Sequence, residues 1–143
     1  MNKKILCTIC IRGGSKGIKN KNIKKINGKP LVLYSYEVAK KIKMFEKIFI
    51  SSDSESFLNI CKKFGAKDLV KRPKVLSNDK SGKIEAIRHA LQSAENKYNT
   101  QYDYIIDLDA TSPLRTINDI KEAYKKFLKL NSSNLFSVTN SNR

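Results

Sequence analysis

The chain has 143 residues, 40% of them hydrophobic, which is enough for one domain with a core of its own and too few for two ordinary ones. Its 29 Lys and Arg against 13 Asp and Glu give a formal charge of +16, which admits nucleic acid, an anionic membrane surface or small anions as partners. No apolar run approaches the ~20 residues of a spanning helix, so a membrane span is excluded.

The apolar positions after Met1-Asn2-Lys3-Lys4 lead into a glycine-rich loop and not a small-residue cleavage site, so a cytoplasmic protein is expected. Only five of the basic residues are arginines, Arg12, Arg72, Arg88, Arg115 and Arg143, and the lysines are spread over every predicted helix. Most of the charge therefore reads as solvated helix faces. One local exception is the crowd of Lys16, Lys19, Lys21, Lys24, Lys25 and Lys29 near the start.

Residues 5–11 form a short, nearly continuous apolar run, the pattern of a strand buried on both faces. Cys7 and Cys10 lie in this run. A redox C-x-x-C motif enters a helix, whereas residues three apart on a strand face opposite sides, so these are read as two ordinary buried thiols. An odd cysteine count also suits a reducing compartment. The run ends in Arg12-Gly13-Gly14-Ser15-Lys16-Gly17, where small residues admit backbone amides close to a ligand and the cations suit a polyphosphate.

Gly28-Lys29-Pro30 breaks the chain before a helix over 31–42, with Leu31, Tyr34, Val38 and Ile42 at helical spacing. Residues 47–50 read as a second buried strand. Ser52 with Glu55 reads as a capping box for a helix over 55–64, which has Phe57, Ile60, Cys61 and Phe64 on its apolar face and Gly65 as its stop. A short strand is expected at 67–70, then a polar segment, then a helix over 83–98 presenting Ile84, Ile87, Leu91 and Ala94. The single histidine, His89, falls off that stripe and is expected at the surface. Residues 104–108 are the third strong strand, Thr116 and Asp119 an N-cap pair for a helix carrying Ile117, Ile120, Tyr124, Phe127 and Leu128, and 135–138 one more strand.

Buried strands alternating with amphipathic helices imply an α/β fold, an open, mostly parallel sheet with helices on both faces, here a single domain over 1–143. Such sheets bind ligands at the carboxyl ends of their strands. The loops at 12–22, 51–54 and 107–115 all follow strands and should open on one edge.

The opening loop has neither the glycine gap and Gly-Lys-Ser/Thr ending of a P-loop nor the G-x-G-x-x-G spacing of a dinucleotide fold. Its run from Arg12 to Asn22 does match the R-G-G-S-K-G-hydrophobic-x-x-K-N signature of cytidylyltransferases that activate nine-carbon acidic sugars. Asn27-Gly28-Lys29-Pro30-Leu31, Ile50-Ser51-Ser52-Asp53, Lys71-Arg72-Pro73 and Thr111-Ser112-Pro113-Leu114-Arg115 continue the match in order along the chain. The sequence thus resembles the CMP-acylneuraminate synthetase family, especially its CMP-legionaminic acid branch.

That resemblance implies a Rossmann-like nucleotidyltransferase fold and a reaction of CTP with a sialic or legionaminic-type acid to give CMP-sugar and pyrophosphate. Carried over by motif, Arg12 and Lys21 are the catalytic candidates. Arg12 and Asn22 bind CTP, Ser15, Lys16 and Lys21 surround its phosphates, and Arg72 and Ser81 contact the nucleoside end. Mg²⁺ is the implied cofactor, and a homodimer is expected of the full-length family.

Where acylneuraminate synthetases carry Gln-Pro, this chain has Asp109-Ala110, giving Asp107-Leu108-Asp109. Two carboxylates two apart on a strand point the same way and can share a cation, so Asp107 and Asp109 are candidate metal ligands; a sugar or nucleotide contact at Asp109 is the equal reading. Arg115 either anchors its own loop or meets a phosphate, and Asp53 reads as a helix cap, with a ligand contact as the other reading. Lys83 stands where the family often has a serine. Family members continue well past this length, so a C-terminally truncated domain is expected, a CTP-binding half-site with weak or no turnover. The rival reading, a noncatalytic nucleic-acid-binding module, calls for exposed aromatics among clustered cations, whereas most aromatics here fall on core faces.

Overall fold

The chain's central strand is β1 (Ile5–Cys10), which pairs in parallel with β4 (Phe45–Ser52) on one side and β6 (Tyr104–Asp107) on the other. The computed structural model describes residues 3–15, 17–77 and 82–138. β5 (Asp68–Lys71) pairs in parallel with β4, giving a four-stranded sheet of order β5-β4-β1-β6. A separate hairpin of β2 (Lys25–Ile26) and β3 (Lys29–Pro30) turns at Asn27 and Gly28, with φ of 48° and 79°. Two positive φ values in a two-residue loop are the requirement of a type I′ turn, which Asn-Gly meets at little steric cost. The hairpin was legible only as a chain break at Gly28.

Strand alternation divides the core. Cys7, Ile9, Ile11 and Ile50 pack with α1 (Leu31–Lys40), α2 (Glu55–Lys63) and Ile120 of α4 (Ile117–Leu130). Leu6 and Phe49 pack on the opposite face with Ala94 of α3 (Lys83–Tyr98), flanked by Leu91, Tyr98 and Tyr102. Helices therefore cover both faces of a parallel sheet, as expected. Phe49 is 1% exposed and meets the Tyr98 ring edge-on at 6.2 Å between centroids.

Several expected faces are corrected. In α1 the buried residues are Leu31, Val32, Leu33, Ser35, Tyr36 and Ala39, because this helix lies between the sheet and the hairpin; Tyr34 instead donates its hydroxyl to the Ile26 carbonyl. In α2, Leu58 is buried and Phe64 is 51% exposed, since the helix ends before Phe64 and Gly65, at φ 87°, turns the chain away. The cap of α2 is Ser54, whose Oγ accepts from Phe57 N at 3.4 Å, while Ser52 accepts from Ser54 N. α3 buries Ala86, Ala90 and Ala94, leaving Ile84 54% exposed. Small side chains at i, i+4 and i+8 let this helix approach the sheet more closely than the isoleucines would. Thr116 and Asp119 do form the expected capping box.

Residues 135–138 are not a strand. A strand needs a ladder partner, and they lie unpaired, with Phe136 74% and Val138 93% exposed. No helix among the described residues is long and apolar enough to cross a membrane.

Burial raises all three thiols: Cys7 strongly, Cys10 to about 12 with help from the Asp107 carboxylate, and Cys61 to about 11. Iodoacetamide at pH 8 should leave all three unmodified in the native chain and label all three in denaturant, read by intact mass. Because the folded values lie above the ordinary one, unfolding releases protons first, and stability should fall as pH rises from about 9 towards 12. Phe49→Ala should cost about 3–5 kcal/mol in urea denaturation, from lost burial and the cavity left behind.

Candidate functional site

The carboxyl ends of β1 and β4 and the segment after β5 meet around one buried cation. Arg72 is 3% exposed; its Nη2 donates to the Ile11 carbonyl at 2.9 Å, Nη1 to Ser51 Oγ at 3.0 Å and Nε to Ser77 Oγ at 2.7 Å. Arg72 thus ties two strand ends to the 3₁₀ turn at Lys74–Ser77. Such charge-assisted bonds offset the cost of removing a guanidinium from water.

Above it runs the loop that follows β1. Gly13 N donates to Asp53 Oδ1 at 2.9 Å, and a Cβ at Gly13 would stand 3.1 Å from Ser54 Cβ. The glycine is needed there for close approach to the start of α2. Asp53 is therefore a tie to the opening loop and not a helix cap. Asn22 is 7% exposed and donates Nδ2 to the Arg12 carbonyl at 3.1 Å, folding the 3₁₀ turn Lys21–Ile23 back on the loop.

On the far side, Asp107 Oδ1 accepts from Thr8 Oγ1 at 2.8 Å, its partner in the strand register. Its other oxygen receives Lys83 Nζ at 2.7 Å, and the same ammonium lies 2.6 Å from Asp109 Oδ1. Burial pulls the Lys83 pKa down, but Asp107 and Asp109 outweigh it and hold the ammonium above its ordinary value. The Asp109 carbonyl accepts from Ser35 Oγ at 2.8 Å and from Arg115 Nη1 at 3.2 Å. Arg115 thus anchors its own loop, one of its two expected roles.

These groups enclose an open cleft of about 660 Å³. Of the residues singled out from sequence, Arg12, Ser15, Lys21, Asn22, Arg72 and Asp109 all line it, while Asp107 stands behind Lys83. Lys16 and Ser81 lie outside the described residues. A larger depression of about 790 Å³, between α4 and residues 135–138, is lined by Glu122, Lys125, Lys126, Lys129, Ser137 and apolar side chains. No strand-end loop reaches it, so the chemistry points to the smaller cleft.

Asp107 and Asp109 do share a cation, and that cation is the Lys83 ammonium. Both Asp107 oxygens are engaged, and no group of three or more His, Cys, Asp or Glu among the described residues could hold a metal ion. As they stand, these two carboxylates do not fit a divalent cation. In sequence Lys83 stands out only as the replacement of a serine. The available signal was its place as the first residue of a helix, where positive charge opposes the helix dipole and calls for compensation. His89 is half-buried: burial, with Arg72 nearby, lowers its pKa, and its Nδ1 has no partner among the described residues.

Comparison with known proteins agrees with this geometry. The chain is 45% identical over 139 residues to "Post-translational flagellin modification protein B" of Campylobacter coli, covering 97% of this chain and 59% of the relative. It is 46% identical over 109 residues to CMP-N,N'-diacetyllegionaminic acid synthase of Campylobacter jejuni, covering 76% of this chain and 46% of the relative. It spans about half the length of these curated relatives. In fold it superimposes on CMP:2-keto-3-deoxy-manno-octonic acid synthetase complexed with CTP with a TM-score of 0.71 at 19% identity, covering 88% of this chain and 48% of that one. The sequence profile of the family described as "Cytidylyltransferase" matches residues 6–142, and the chain belongs to that family.

Proposed function

We propose that the cleft binds CTP and that the protein transfers its cytidylyl group to a nonulosonic acid of the legionaminic or neuraminic type. The observation that carries this reading is the convergence of Arg12, Ser15 and Lys21 with Arg72 and Asp109 on one cleft at the strand ends. Cations from the opening loop would offset triphosphate charge at one end; the family resemblance puts the nucleoside near Arg72, whose buried guanidinium supports the cleft floor from within the protein.

In the proposed reaction, a sugar hydroxyl oxygen bonds to the α-phosphorus and gives up its proton to solvent, while the bond to the oxygen bridging the β-phosphorus breaks and pyrophosphate leaves. Arg12 and Lys21 would oppose the charge that develops on the phosphate oxygens, as electrostatic catalysis requires. The Arg72 ties and the Asn22–Arg12 bond hold the loop before any ligand arrives, which reduces the ordering cost of binding. Mg²⁺, implied by the family resemblance, would on this reading be carried by the phosphate oxygens, because Lys83 holds the strand-end carboxylates.

A nucleotide is favoured over a nucleic acid because, among the described residues, no aromatic side chain lines the cleft for bases to stack on. The +16 charge is carried mostly by lysines, many of them exposed on helices. A calorimetric titration of CTP with Mg²⁺ into the chain and its Arg12→Ala variant tests the reading. Loss of one charge-assisted phosphate contact should weaken CTP about 10- to 100-fold, and equal affinities would remove the opening loop from the site. Single-stranded RNA that binds tightly and is not displaced by CTP would favour the nucleic-acid module instead.

A further inference from the structure

The Asp107–Lys83–Asp109 cluster combines features that a simple surface ion pair lacks. Asp107 is mostly buried, its side chain 13% exposed, and its position is preset by the register of β6 on β1 and by the Thr8 hydroxyl. Asp109 is more open, but its backbone is pinned from two directions, by Ser35 of α1 and by Arg115. The two carboxylates are therefore held by the sheet and its loop. Lys83 comes to them from the first residue of α3, with Nζ 2.7 Å from one and 2.6 Å from the other. A cation at a helix N-terminus is disfavoured by the helix dipole, so the two carboxylates are what hold this ammonium there.

We infer that Lys83 is a built-in counter-ion, occupying the cation position between Asp107 and Asp109 so that the pair does not take up a divalent cation by itself. A small divalent cation at these carboxylates needs oxygen ligands in near-octahedral array and gives up its waters reluctantly. Here it would also have to displace an ammonium that already bridges both acids, and Thr8 holds the second Asp107 oxygen. Lys83 is a positioning residue on this account: it fixes the charge of the strand-end carboxylates and sets where a metal can enter. A divalent cation reaching the cleft must bring most of its oxygen ligands with it. None of this depends on which nucleotide the cleft accepts.

Mn²⁺ is the probe, with free ion counted by electron paramagnetic resonance in the absence of nucleotide. The variants are Lys83→Met, Lys83→Arg, Asp107→Asn and Lys83→Met/Asp107→Asn, each in the 143-residue chain. Wild type and Lys83→Arg should show no Asp107-dependent site. Lys83→Met should gain one site at least tenfold tighter than any in wild type, and the double variant should lose it. A helix-anchoring role without cation exclusion would leave Mn²⁺ binding unchanged by Lys83→Met, and that result overturns the inference. The wild type also decides the question alone: a Mn²⁺ site in it that Asp107→Asn removes would show that the acids bind metal despite Lys83.

Discussion

The cleft depends on the buried guanidinium of Arg72. A planar fork with several donors is one of few side chains able to bond a carbonyl just past β1, a hydroxyl from β4 and a hydroxyl from the turn after β5 at once. A lysine could supply the charge but not that geometry. The loops around the cleft are thereby referred to one rigid point beneath them. Gly13 and Asp53 add a second tie above it, and Thr8 and Asp107 a third across β1 and β6. The ends of three parallel strands become a single surface through polar bonds that begin where the apolar core stops.

Charge on this protein is best understood by location. The total reflects lysines along the helices, where water screens them and each contributes little. Inside the cleft the balance is closer, with Arg12, Lys21, Arg72 and Lys83 set against Asp107 and Asp109. A site of this kind attracts anions through a few well-held cations, and its carboxylates are kept from repelling them by an ammonium from the same chain.

Much of this was readable from residues alone, and the exceptions have physical causes. The buried strands at 5–11, 47–50 and 104–108 were recognisable because a parallel sheet covered on both faces writes continuous apolar runs. Their order and the shared edge of their loops followed from the α/β pattern. The helix faces were harder to read. In α3 the stripe of Ile84, Ile87, Leu91 and Ala94 includes Ala94 and Leu91, which do pack on the core, but the helix turns Ala86 and Ala90 to the sheet ahead of the isoleucines, because closeness of packing can outweigh hydrophobicity of the individual side chain. Asn27-Gly28 reads locally as a chain break but forms the turn of a hairpin. At the site, residue types in the opening motif announced a phosphate cradle, but the partners of Asn22, Asp53 and Arg72 are backbone atoms and hydroxyls distant in sequence, which no local pattern encodes.

The alanine stripe of α3 has a reach beyond its own packing. Ala86, Ala90 and Ala94 set how low the helix lies on the sheet, and the helix is a stiff rod whose first residue is Lys83. The height of its middle is thus also the height of its tip. A methyl group added at Ala90 or Ala94 would tilt the rod and lift the ammonium from its acids, so the electrostatics of the cleft are tuned from core residues that do not line it.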